Sequence, residues 1–283
     1  MIIDEKNKTM PRTLYLVATP IGNLADISER ALKVLSEVDF VAAEDTRNTQ
    51  RLLMHFGISK PLVSYHEHNK TERGEKLVER IMSGESCALV TDAGTPAISD
   101  PGADLVKLCA ERGVTVSSIP GACASITALT LSALPTERFC FEGFLPTSNK
   151  ERKSRLDALM SEERTMLFHE APHKLRSTLE DMRATFGDDR KITLCRELTK
   201  LNEEVIRTTI LGACEIYAER EPKGEYVLVI EGTQKKAALP ETELTIEEQV
   251  EYYIESGMSK MDAIKATAKS RGIPKNDVYK LMV

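Results

Sequence analysis

The chain has 283 residues, of which 41% are hydrophobic and 29% charged, and a net charge of −6; that fits about two ordinary globular domains rather than one small core. The acidic balance excludes a nucleic-acid coat protein, which would be basic overall, while leaving room for local basic patches. No run approaches the roughly 18 apolar residues needed to span a bilayer. The polar residues 1–12 also lack the apolar core of a secretory signal, so the protein is expected in the cytoplasm.

In chain order, apolar runs alternate with amphipathic segments. Strands are predicted over 14–18, 40–43, 61–65, 87–91 and 115–119. Helices are predicted over 29–37, 48–56, 72–82, 103–111 and 124–133, the first started by Ser28 as N-cap and the second stopped by Gly57. This β-α alternation implies a largely parallel sheet with helices on both faces. Pro135 interrupts the next apolar run and marks a joint. Beyond it, strands are predicted over 139–145, 165–169, 192–197, 205–209 and 226–231, with helices over 150–160 and 175–186. The closer strand spacing predicts a mixed sheet with hairpins. Residues 234–244 read as a polar linker around Pro240, and 246–283 as three short helices. The expected domains are therefore 12–134, 135–232 and a helical module over 245–283. In the tail, residues 241–257 carry six acidic and no basic side chains, whereas 258–283 carry six basic against two acidic.

Three loops that follow predicted strands are rich in Gly and Pro: Ala18-Thr19-Pro20-Ile21-Gly22-Asn23-Leu24, the run from Thr91 to Gly102, and Ile119-Pro120-Gly121-Ala122-Cys123-Ala124-Ser125. In an α/β sheet such loops at the carboxyl ends of the strands form the ligand crevice. Gly allows close backbone approach and Pro stiffens the turn. The second loop packs two carboxylates, three hydroxyls and two glycines into twelve residues, more than a connection requires. No GxGxxG follows the first strand, and GxxxxGK[ST], HExxH and GxSxG are all absent. Dinucleotide, P-loop, zinc-protease and α/β-hydrolase sites are thereby disfavoured. The six cysteines are scattered without a CxxC pair; they read as buried small hydrophobes, and no metal site is expected.

The ordered runs Leu16 to Ile27, Ala43-Glu44-Asp45-Thr46-Arg47, Asp92 to Gly102, Phe168 to His173, Arg196-Glu197-Leu198-Thr199-Lys200 and Lys223-Gly224-Glu225-Tyr226 resemble the tetrapyrrole-methylase (class III) superfamily, in particular its rRNA-methylating branch. The resemblance covers roughly residues 12–232 and a matching helical tail. One departure is Ala171, where the family often carries Ser. The resemblance implies a two-domain tetrapyrrole-methylase-like α/β fold, with S-adenosylmethionine as methyl donor in the cleft between the domains and no metal. It further implies a homodimer acting on 16S rRNA in the small ribosomal subunit, by 2′-O-methylation of a cytidine in the decoding region. Two alternatives stay open at this point: a tetrapyrrole or protein methylase of the same superfamily, and a non-catalytic RNA-binding ribosome-assembly factor.

For donor binding the expected residues are Pro20, Asp92, Ala93, Gly94, Thr95, Ser125 and the Gly224-Glu225-Tyr226 turn. For acid–base or substrate-orienting work they are Asp45, Arg47, Glu170, Glu197 and Lys200, with His169 and His173 as further bases, although Glu44 to Arg47 also reads as an acidic helix cap. Methyl transfer needs mainly positioning, on the order of 7–11 kcal/mol of the barrier; a base near the hydroxyl would add about 10²–10⁴-fold. Lys150, Arg152, Lys153 and Arg155 form a candidate phosphate-binding face, and Lys260, Lys265, Lys269, Arg271 and Lys275 a second.

Overall fold

A computed structural model describes residues 8–233, 244–255 and 257–282. The expected linker over 234–244 lies, except for Leu244, outside the described residues. The chain forms two compact units, Met1–Gly232 and Thr233–Val283.

The first unit holds two five-stranded sheets. One is built from β1 (Thr13–Val17), β2 (Phe40–Ala43), β3 (Leu62–Ser64), β4 (Cys87–Val90) and β5 (Thr115–Ile119), in the order β3-β2-β4-β1-β5 with every pairing parallel. Its helices are α1 (Glu29–Glu37), α2 (Thr46–His55), α3 (Lys70–Met82), α4 (Gly102–Glu111) and α5 (Ala124–Leu131). β2 and β4 are buried along their whole length, as an internal parallel strand covered on both faces must be. Alternate residues feed two cores: Tyr15 and Val17 pack with Leu35 and Leu53, whereas Leu14 packs with Phe40, Leu77 and Leu105.

The second sheet follows with β6 (Phe139–Phe144), α6 (Asn149–Ala158), β7 (Thr165–Glu170), α7 (Leu175–Phe186), β8 (Lys191–Arg196), β9 (Glu204–Thr209), α8 (Ile210–Glu219) and β10 (Tyr226–Ile230). Its order is β6-β7-β10-β8-β9; β6 and β7 are parallel and the remaining pairs antiparallel. Period-two alternation splits its strands cleanly. Met166, Phe168, Leu228 and Ile230 join the core with α7 and α8, while Leu167, Val227 and Val229 face Ala128 and Leu129 of α5. α5 thus belongs by sequence to the first sheet but packs on the second, and ties the two. Thr193 Oγ1 donates to Ser132 O (3.0 Å), and Arg207 donates to Leu131 O from the same side.

Several element ends differ from expectation for local reasons. α2 begins two residues earlier, at Thr46, because the Asp45 side chain caps it by accepting from Arg47 N (2.8 Å). α5 stops at Leu131, and Ala133 lies in the left-handed region at φ 60°. Ser28 caps α1 as read. α8 was not expected at all; Thr209 ends β9 and at once caps the helix by accepting from Gly212 N (3.2 Å), so no connecting loop separates the two. In the second unit α9 (Ile246–Glu255), α10 (Lys260–Arg271) and α11 (Lys275–Leu281) close over Val250, Ile264 and Val278, the three helices expected.

Leu129 is 4% exposed, at the seam between α5 and the second sheet. Leu129→Ala is expected to cost about 2–5 kcal/mol, read from urea unfolding; a change below about 1 kcal/mol would mean that the seam is not a packed core.

Candidate functional site

β4, β1 and β5 are neighbours in the sheet, so the loops leaving their carboxyl ends meet. Thr19 N donates to Gly94 O (2.9 Å) and Gly94 N to Thr19 O (3.0 Å), a two-bond bridge between the first and second loops. Gly94 has φ 84°, and a Cβ there would come within 3.3 Å of Ile21. The third loop closes in as Thr95 Oγ1 donates to Ala122 O (3.0 Å), and Gly121 lies so near Ala18 that a Cβ would meet it at 2.9 Å. Farther along, Ala97 and Ser99 hold left-handed φ of 68° and 64°. Asp100 pins that turn, its Oδ1 accepting from Ala97 N (3.0 Å) and Gly102 N (2.7 Å).

Between these loops and the second sheet lies a cavity of about 410 Å³, within the usual range for a small-molecule site. Ile21, Ala93 and Ala124 line it from the first sheet; Phe144, His169, Glu170, Leu198, Lys200, Glu225 and Tyr226 line it from the second. The walls are mostly apolar, with Glu170, Lys200 and Glu225 grouped on the second-sheet side. Lys200 Nζ donates to Glu197 Oε1 and Glu225 Oε2, both at 2.8 Å. Desolvation pulls the Lys200 pKa down, but these two partners outweigh it and leave it raised. The Lys200 hydrogen bond in turn holds Glu197 below the usual carboxylate range, helped by the Glu225 amide. Gly224, at φ 79°, is required here: a Cβ would sit 2.5 Å from Glu197 Cγ. The Tyr226 hydroxyl closes the turn by accepting from Lys223 N (3.2 Å).

Glu170 is 4% exposed and spends both oxygens internally, accepting from Ala171 N (2.8 Å) and Thr178 Oγ1 (2.6 Å). It anchors α7 to the cavity wall. His169 meets Phe141 and Phe144 edge-on and has a buried Nε2 without a hydrogen-bond partner; burial lowers its pKa. His173 is exposed.

A second cavity, of about 180 Å³, lies on the other side of the first loop. Pro20, Gly22 and Leu24 line it with Asn48, Leu52, Thr91 and Asp92. Burial, then repulsion from Glu44, raises the Asp92 pKa, offset in part by a hydrogen bond from Asn48. Beside it Asp45 grips Arg47 with both oxygens (2.7 and 3.1 Å), and these bonds pull Asp45 down to about 2.

The sequence-expected residues thus divide. Ala93, Glu170, Lys200, Glu225 and Tyr226 line the larger cavity, whereas Pro20 and Asp92 line the smaller. Gly94, Thr95, Ser125, Glu197 and Gly224 line neither cavity, Ser125 being buried in the first turn of α5. Asp45 and Arg47 start α2. Asn48 and Leu52 were not anticipated; their i,i+4 spacing on α2 is the signal that was available. The expected basic face of α6 needs correction. Arg152 is buried against Asp181 (2.6 Å) and Asn149, and Arg155, though exposed, pairs with Glu142, so two of the four cations are already neutralised. In the tail, Lys265 pairs with Asp262 and Arg271 donates to Gln249. The six cysteines are unpaired thiols, and burial pushes Cys109 and Cys195 up to about 11. Among the described residues no cluster of three His, Cys, Asp or Glu side chains is placed to hold a metal, and no helix is long and apolar enough to cross a membrane.

The sequence profile of tetrapyrrole (corrin/porphyrin) methylases matches residues 13–212. A Halalkalibacterium halodurans protein named ribosomal RNA small subunit methyltransferase I is 47% identical over 272 residues, covering 95% of this chain and 94% of its own. A protein of the same name from Escherichia coli O157:H7 is 44% identical over 270 residues, covering 94% and 93%. Among solved structures, diphthine synthase aligns with a TM-score of 0.58 at 19% identity, over 78% of this chain and 90% of its own. Uroporphyrin-III C-methyltransferase from Thermus thermophilus, complexed with S-adenyl homocysteine, aligns at 0.55 and 17% identity, over 77% and 97%. At those identities the solved structures bear on the fold alone.

Two outcomes follow from the carboxylates. Glu170→Ala strands a buried hydroxyl and amide and is expected to destabilise by about 1–3 kcal/mol in urea unfolding; full stability with lost turnover would mark Glu170 as a reacting group instead. Asp45 should titrate by NMR near 2. Its folded pKa is depressed, so its contribution to stability is present above the ordinary carboxylate range and lost as pH falls toward that value; a midpoint at or above the ordinary value would show the cap to be absent.

Proposed function

Because the chain belongs to the tetrapyrrole (corrin/porphyrin) methylase family, and within it to the ribosomal RNA small subunit methyltransferase I proteins, we propose that it methylates small-subunit rRNA with S-adenosylmethionine, at the 2′ oxygen of a cytidine ribose in the decoding region of 16S rRNA. The observation that carries this reading is the 410 Å³ cavity built jointly by three Gly/Pro loops and the second sheet. The backbone of Ala93 and Gly94, backed by Thr95 and Ser125, and the Gly224-Glu225-Tyr226 turn would hold the donor. The donor supplies a methyl group already activated by its sulfonium. The apolar wall of Ile21, Ala124 and Leu198 excludes water, and Glu225 offers charge at the mouth.

Asp45, Glu170 and Glu197 are all committed to internal hydrogen bonds. With these carboxylates engaged, the chain acts chiefly by positioning. Lys200, held by two carboxylates, orients the Glu225 turn rather than offering a bare cation to phosphate. Cytoplasmic location and a homodimer belong to the same reading.

The test is transfer of tritium from labelled S-adenosylmethionine to small subunits from cells lacking this gene, followed by mapping of the labelled nucleotide. Label on one ribose of the decoding region is expected. No label, with donor binding intact by calorimetry, would overturn the rRNA assignment in favour of a small-molecule or protein methylase; light scattering at twice 31.5 kDa would support the dimer.

A further inference from the structure

We propose that the smaller cavity seats the pyrimidine base of the nucleotide being methylated, selecting an amino-bearing ring, and that α2 holds the adjoining phosphates. This rests on the rRNA-methyltransferase reading above. Three independent observations carry it.

The first is adjacency. Along the first loop, Ile21 lines the larger cavity while Pro20 and Gly22 line the smaller; along the second, Ala93 lines the larger and Asp92 the smaller. Neighbouring residues are about 3.8 Å apart along the chain, so the cavities share a rim. A base in one leaves its ribose at that rim, beside whatever fills the other.

The second is chemistry. At about 180 Å³ the smaller cavity has under half the volume of the larger. Pro20, Leu24 and Leu52 give it apolar walls for the faces of a flat ring, and Asn48 and Asp92 give it a polar side. A carboxylate accepts from the exocyclic amine of cytosine, and an amide donates to its ring nitrogen or carbonyl. Uracil presents a carbonyl where cytosine presents the amine, and the carboxylate would repel it. Access requires the base to leave its stack, as in other enzymes that place a nucleotide in a pocket.

The third is charge. The chain is acidic overall, yet α2 contains no acidic side chain and carries Arg47, Arg51 and His55 at successive i,i+4 positions. Asp45 pairs with Arg47, so the exposed Arg51 is the cation of this row left to a phosphate. The same helix turns Asn48 and Leu52 into the cavity. One element thus supplies both base-reading and phosphate-binding groups, the division of labour that nucleic-acid recognition requires.

The experiment measures kcat/KM on unmodified small subunits carrying either cytidine or uridine at the mapped nucleotide, alongside the Kd for S-adenosylmethionine by calorimetry. The wild type is expected to prefer cytidine by on the order of tenfold or more. Asp92→Asn and Asn48→Ala should each shrink that preference and raise KM for subunits, with the donor Kd unchanged. Both residues are exposed, and an unaltered unfolding midpoint checks that the variants fold. Arg51→Ala should reduce the slope of log affinity against log salt by about one without altering the base preference. An undiminished preference in both cavity variants overturns the proposal and leaves the rRNA reading standing. A weakened donor Kd in either overturns it too, by giving the cavity to the donor. Wild-type enzyme that binds donor but labels no subunit overturns both readings.

Discussion

The two backbone hydrogen bonds between Thr19 and Gly94 set the geometry of everything around them. They exist because β1 and β4 are adjacent parallel strands, so the chain leaves both at the same edge, and because Gly94 takes a left-handed φ that a side chain would oppose. With the bridge formed, residues 20–22 can only run between the two cavities, and the third loop closes against them through Thr95 and Ala122. Hydrogen bonds of this kind contribute about 1 kcal/mol each. Their importance here lies in direction: they decide which side chain of each loop faces which cavity.

The second sheet answers with an arrangement of charge. Glu197 and Thr199 both occupy left-handed backbone, and the turn between them presents Lys200 to two carboxylates. Thr199 Oγ1 also accepts from Asn23 N (3.1 Å), linking this turn to the first loop. Such a turn is costly in isolation, since each non-glycine residue at positive φ carries about 1 kcal/mol or more of strain. Ion pairs and the seam of α5 with the sheet offset it. The residues that look most chemical in the sequence are therefore largely structural: they hold the wall of the cavity in place, and the apolar and backbone groups form its surface.

Much of the fold was legible from periodicity. Alternating apolar runs and amphipathic segments gave the parallel first sheet, and closer strand spacing gave the mixed second one. The element that escaped, α8, begins at Ile210 directly after Thr209 ends β9 and caps the helix, so no connecting loop marks a boundary there. The loops were legible because Gly and Pro cluster only where backbone must turn sharply. The division of Pro20 and Asp92 from Ala93 was not, since consecutive residues point to opposite sides of a loop and only the tertiary bridge says which side is which. The basic face of α6 failed for a related reason: Asp181 and Glu142, which neutralise Arg152 and Arg155, are distant in sequence.

A shared loop between two cavities also bears on how a weak nucleophile is made to react. When two ligands are held by separate flexible elements, each must be ordered at its own entropic cost before they meet. Here residues 19–22 and 91–94 contribute to both cavities, and the backbone bridge fixes the two sets against each other. The relative placement of the ligands is then settled when the protein folds, and orientation of this kind accounts for a barrier reduction on the order of 7–11 kcal/mol. That magnitude is sufficient without an activated carboxylate, which agrees with Glu170 and Glu197 at the larger cavity being engaged in internal hydrogen bonds.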